Sequence, residues 1–122
     1  MNRFEGRVAL VTGGGGGMGE ATVTRLADEG AIVYALDVDA PSVDKLAAEH
    51  RNQGHDVRAI HADVTSGDDL DAAFLTLANE QGRLDVLVDI AGGSMAGLVS
   101  ELADEEWERY YRLNVLSTVM AS

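Results

Sequence analysis

The sequence predicts a doubly wound α/β fold, a parallel sheet with helices on both faces. Three observations carry this. Four short apolar runs alternate with four segments of helical periodicity at short spacing, as strand-helix-strand units demand. The apolar runs are continuous rather than alternating, the pattern of strands buried on both faces. The first of them ends directly in a glycine run, a strand-to-helix turn.

Taken in order, Arg7–Thr12 reads as the first strand, an apolar run stopped by glycines. Gly19, Val23, Leu26 and Ala27 recur at helical spacing and form one face of a helix that ends near Gly30. Ile32–Asp37 is the second strand. Asp39 and Pro41 open the second helix, whose face carries Val43, Leu46, Ala47 and His50 before Gly54 stops it. Asp56–Asp63 reads as the third strand. Ser66–Gln81 is the third helix, with Ser66 and Asp69 in capping-box spacing and Leu70, Ala73, Phe74 and Leu77 on one side. Leu84–Ile90 is the fourth strand, closing in Ala91-Gly92-Gly93. Asp104, Glu105 and Glu106 crowd the start of the last helix, where the helix dipole favours negative charge. Trp107, Tyr110, Tyr111 and Asn114 fall on one side of that helix, and the aromatics read as a packing face.

Bulk composition narrows the function. A chain of 122 residues, 46% hydrophobic and 25% charged, supports one packed domain over residues 1–122. No apolar run approaches the length that spans a bilayer, and Met1–Arg7 lacks the apolar middle of a signal peptide, so a soluble, cytoplasmic protein is expected. With no cysteine there are no disulfides or thiolate sites, and any redox chemistry must come from a bound cofactor. The net charge of −12, with Lys45 the single lysine, argues against nucleic acid and anionic membrane as partners. His50, His55 and His61 share no metal-ligand spacing, so no metal is expected.

Chemistry concentrates at Thr12–Gly19. A phosphate bound at a helix N-terminus needs backbone N–H groups with no side chain in the way, and Gly13–Gly17 provide such a stretch. Gly13 serves the tight turn, Gly17 close approach of a ligand, and Gly19 packing against the sheet, while Gly16 and Met18 flank the approach. No Lys-Ser or Lys-Thr follows, which excludes a P-loop. Asp37, at the end of the second strand and 18 residues past Gly19, is placed to accept hydrogen bonds from the ribose hydroxyls of a dinucleotide, with Val38 beside it. The acid repels a 2′-phosphate, and no Arg or Lys stands nearby to receive one, so NAD is favoured over NADP.

With these features the chain resembles the short-chain dehydrogenase/reductase family, whose Thr-Gly-x-x-x-Gly-x-Gly fingerprint stands here as Thr12–Gly19. The resemblance implies a Rossmann fold of strand order 3-2-1-4, and it implies roles for further residues. Asp63-Val64 looks like the Asp-Val pair that contacts the adenine, and Asp63 also reads as an ordinary acidic cap. Asp89-Ile90-Ala91-Gly92 is similar to the family's Asn-Asn-Ala-Gly, in which Ala91 and Gly92 would let the backbone pass the cofactor. Asp89 departs from the usual Asn, and an ionised carboxylate only accepts hydrogen bonds. Asn114 matches the family's fourth-helix asparagine, which holds a water of the proton relay. Gly93–Met95 would approach the substrate.

The family's Tyr-x-x-x-Lys would lie beyond Ser122, and nothing here replaces it, since Lys45 has no tyrosine four residues before it. The chain therefore reads as the N-terminal portion of a larger fold, with the C-terminal part missing and the fourth strand left as an apolar edge. Two functional readings stay open. One is the cofactor-binding portion of an NAD-dependent oxidoreductase that interconverts a small-molecule secondary alcohol and a ketone, a homodimer or homotetramer at full length. The other is a non-catalytic dinucleotide-binding module, or a fragment that needs a partner chain.

Overall fold

The computed structural model describes residues 1–94 and 97–122. Met95, expected near the substrate, lies outside the described residues. The elements are β1 (Val8–Thr12), α1 (Gly17–Asp28), β2 (Ile32–Asp37), α2 (Ala40–Asn52), β3 (Val57–His61), α3 (Gly67–Gln81) and β4 (Val86–Asp89). A 3₁₀ turn at Val99–Glu101 precedes α4 (Asp104–Tyr111), which passes through a π-helical turn (Arg112–Leu116) into α5 (Ser117–Ala121).

All strand pairs are parallel and the order is β3-β2-β1-β4, as the resemblance implied. Val11 of β1 stands between Ala35 of β2 and Val88 of β4. The side chains of β1 and β2 alternate between two cores. Ala9, Val11, Val33 and Ala35 pack under Val23, Leu26 and Ala27 of α1 and Val43, Leu46 and Ala47 of α2. Val8, Leu10, Tyr34 and Leu36 pack against Leu70, Ala73 and Leu77 of α3, with Leu113 of the π turn at the margin. Helices therefore cover both faces, and every residue of β1 is buried because each face has its own layer. β4, at one end of the sheet, is only half-buried throughout.

Three of the strands are shorter than the apolar runs that announce them, while β2 spans Ile32–Asp37 as expected. Arg7 forms a turn with Phe4 before β1, Asp63 lies past the end of β3, and Ile90 past β4. Asp39 caps α2 as expected, accepting from the Ser42 amide and hydroxyl. At α3 the capping pair is divided: Ser66 Oγ accepts from Asp69 N, but the Asp69 carboxylate accepts from Asp63 N instead of Ser66 N. The Ser66 amide donates to the Asp63 carbonyl, so the box is stretched to include the end of the β3 turn. At α4 only Glu106 reaches back, to the Ala103 amide, since Ala103 has no acceptor to return.

Two features depart from what periodicity predicts. Trp107 and Tyr111 share the side of a helix expected to pack, yet they are 46% and 53% exposed, because this side of α4 is turned away from the two cores of the sheet. Glu29, which no local pattern singles out, is buried at the end of α1, where its carboxylate takes Arg3 and Arg25 together. Hydrogen bonding from Arg3 is the main reason its pKa lies at about 2. With the Phe4 amide donating to the Glu29 carbonyl, the pair fixes the N-terminal segment to α1.

Candidate functional site

A cavity of about 410 Å³ opens at the C-terminal ends of the strands. Each strand supplies part of its wall: Gly13, Gly16 and Met18 follow β1; Leu36, Asp37 and Val38 end β2; Ala62, Asp63 and Val64 follow β3; Ile90, Ala91 and Gly92 follow β4. Leu113 of the π turn closes the last side. In an open parallel sheet this crevice, where the strand order reverses beside β1, is where ligands bind.

The glycine turn divides its tasks. Gly13 has φ +66°, and a Cβ there would stand 2.8 Å from Ala91 N, so only glycine lets the β1 and β4 exits lie this close. A Cβ on Gly19 would overlap the Gly13 carbonyl oxygen, so glycine here lets α1 start close against the turn that leaves β1. Gly16 is different: it lines the cavity, its backbone is extended, and nothing stands within 4 Å of where its Cβ would be. Helix α1 begins after it with no side-chain cap. The first turn of α1 thus has amides without a side-chain acceptor beside the open space over Gly16, an arrangement that can receive an anionic group. Gly17, expected to be the point of closest approach, starts α1 at φ +51°, and its neighbours Gly16 and Met18 line the cavity.

Asp37 turns its carboxylate into the turn, where Oδ2 accepts from Gly15 N at 2.9 Å and Oδ1 from Asp39 N at 3.0 Å. A carboxylate has about four acceptor positions, so both oxygens retain capacity for hydroxyl donors. Asp63 stands across the cavity, bonded through Oδ1 to the amide and hydroxyl of Thr65. Val64 beside it is buried, and Met18 and Val38 are mostly exposed at the rim.

Behind the β4 side lies a small polar junction. Thr12 Oγ1 accepts from the amides of Ile90 (3.1 Å) and Ala91 (3.3 Å) and donates to Asp89 Oδ1 at 3.2 Å. The expected difference from an asparagine is visible in the bonding, since the Asp89 carboxylate accepts and does not donate to backbone. Burial pushes the Asp89 pKa above the usual aspartate value, and the Thr12 hydroxyl opposes this by bonding the charged form.

Asn114 lies in the π turn, where Ser117 N bonds Arg112 O five residues back. Its amide is engaged at both ends by Gly93, accepting from Gly93 N at 2.9 Å and donating to Gly93 O at 2.8 Å. The side chain thus holds the segment that leaves the cavity at Gly92. The histidines pair locally: His50 and His55 stack and meet through Nδ1 at 3.2 Å, and His61 pairs with Asp44. Among the described residues no group of three or more metal-ligating side chains converges.

Four lining residues were missed in the sequence, namely Leu36, Ala62, Ile90 and Leu113. The first three could have been found from their places at or just past strand C-termini, where such cavities form. Leu113 depends on the π turn, which has no local sequence signal.

The sequence profile of the family described as short chain dehydrogenase matches residues 7–122. The chain is 34% identical to the 2,3-dihydro-2,3-dihydroxybenzoate dehydrogenase of Bacillus subtilis (strain 168), over 98% of this chain and 46% of that protein. It is 38% identical to the cyclopentanol dehydrogenase of Comamonas sp. (strain NCIMB 9872), over 100% and 49%. A 3-ketoacyl-(acyl-carrier-protein) reductase from Brucella melitensis, solved in complex with NADH, superposes with a TM-score of 0.88 at 32% identity, covering 97% of this chain and 48% of that one. The chain spans about half the length of the relatives it matches. By its sheet order, its glycine turn and this match along almost its whole length, the chain belongs to the short chain dehydrogenase family, a family of oxidoreductases.

Proposed function

We propose that these 122 residues are the NAD-binding portion of a short-chain oxidoreductase that moves hydride between nicotinamide and a small secondary alcohol or ketone. The observation that carries the reading is the cavity at the four strand ends, walled by the uncapped glycine turn on one side and Asp37 on another. On this reading the amides after Gly16 receive the diphosphate, Asp37 and Val38 the adenosine ribose, Asp63 and Val64 the adenine, and Ala91 and Gly92 the nicotinamide half. The bound cofactor supplies the hydride chemistry. Asn114 is a positioning residue: by holding Gly93 it orients the segment through which substrate and relay water would be approached. The full-length protein is then a cytoplasmic dimer or tetramer, and the tyrosine and lysine that act on substrate belong to it outside this chain.

The test is binding of NAD and NADP to the full-length protein by calorimetry. NAD should bind the more tightly, and Asp37→Ala should cost NAD on the order of 1–3 kcal/mol relative to NADP. An unchanged ratio removes Asp37 as selector, and absence of binding by either nucleotide removes the reading.

A further inference from the structure

Asp89 carries a charge that its hydrogen bonding does not require. It ends β4, in register with Thr12 of β1, and the three residues after it line the cavity. Among the described residues its carboxylate has one hydrogen bond, the Thr12 hydroxyl at 3.2 Å, and a neutral amide oxygen can also accept that bond. Among the described residues no Arg, Lys or His forms an ion pair with it. Burial disfavours its ionised form, so the charge is held at a cost to stability that an asparagine would not carry. What the carboxylate adds is a negative charge one residue behind the cavity wall, at a half-buried position where fields are screened less than in open water.

The strand order says which part of a ligand feels that charge. Asp37 stands at the β2 side, and β1 separates it from β4, so a dinucleotide whose adenosine ribose meets Asp37 extends its other nucleoside toward the β4 side. On the function proposed above, that other nucleoside ends in a ring that is cationic when oxidised and neutral when reduced. The diphosphate is the same in both forms, so repulsion between it and Asp89 cancels in their comparison.

We propose that Asp89 sets the preference of this site between the two redox forms of its cofactor, favouring the cationic oxidised ring over the neutral reduced one. The residue acts through its field and not through contact with the reacting atoms. The inference rests on the proposed NAD-binding reading, and the two are separable by one set of measurements.

Dissociation constants for NAD⁺, NADH and ADP-ribose are measured on the full-length protein and its Asp89→Asn variant at pH 7. The variant keeps the acceptor for Thr12 and removes the charge. We expect the NAD⁺-to-NADH affinity ratio to fall about three- to tenfold, with ADP-ribose shifting by less than that and in the direction of tighter binding. A ratio unchanged within about twofold, with all three ligands still bound, overturns the role of Asp89 and leaves the NAD-binding reading standing. Failure of wild-type protein to bind any of the three overturns both. Asp89→Ser, neutral and smaller, carries the same comparison should Asp89→Asn fail to fold.

Discussion

The carbonyl oxygen of Gly13 occupies the place of a side chain on Gly19: an ideal Cβ there would sit 1.7 Å from it. No rotamer relieves that overlap, because both partners are backbone. Gly19→Ala should therefore destabilise the protein by on the order of 3 kcal/mol, at the upper end of overpacking effects, as a lowered midpoint in urea. Gly16→Ala is the counterpart. Its extended backbone suits any residue and its Cβ would meet open space, so the unfolding free energy should stay within about 0.5 kcal/mol of wild type while nucleotide affinity falls.

Asn114 and Gly93 give a second prediction. Asn114→Ala removes two hydrogen bonds that hold an exposed segment, and should cost about 1–2 kcal/mol in the same denaturation experiment. Asn114→Asp keeps the acceptor for Gly93 N but cannot donate to Gly93 O when ionised, so it should lie between alanine and wild type. Equal loss in both variants would mean that the accepted bond contributes nothing.

Acid should expose Glu29. Its pKa is held at about 2, below the ordinary 4.5, so the folded protein gains stability from the ionised form at every pH above the ordinary value. That gain is lost as pH falls from 4.5 toward 2, because folded and unfolded states then bind the proton alike. Thermal melts of Glu29→Gln should show a lower Tm than wild type at pH 7, with the gap closing progressively below pH 4.5. A constant gap across that range would show that the loss comes from packing and not from the Arg3 and Arg25 pairs.

The sheet was legible in the sequence because parallel strands buried on both faces leave continuous apolar runs, such as Val8–Val11 and Ile32–Leu36. Helix faces were equally plain at Val23, Leu26 and Ala27, which are all buried. Most of the cavity wall was legible too, since Gly13, Gly16, Met18, Asp37, Val38, Asp63, Val64, Ala91 and Gly92 all line it. What was hidden depends on contacts between distant segments. The pairing of Glu29 with Arg3 spans 26 residues, and Asn114 reaches Gly93 across 21, so neither follows from local spacing. Trp107 and Tyr111 have the period of a packed face, but periodicity records only that residues share a side, not that anything covers it.

The π turn at Arg112–Leu116 acts on the last helix like a single inserted residue. In an α-helix one residue corresponds to about 100° of rotation, so the turn changes the angular phase between α4 and α5. Upstream and downstream halves can then satisfy separate demands: Asn114 meets Gly93 at the mouth of the cavity, while Ser117 and Ala121 are buried where α5 lies against α3. A uniform helix would have a single dial setting for both. Aligning this segment with another chain by helical period alone would therefore be out of step on one side of Asn114, and the mismatch would mark the residue around which the helix is re-aimed.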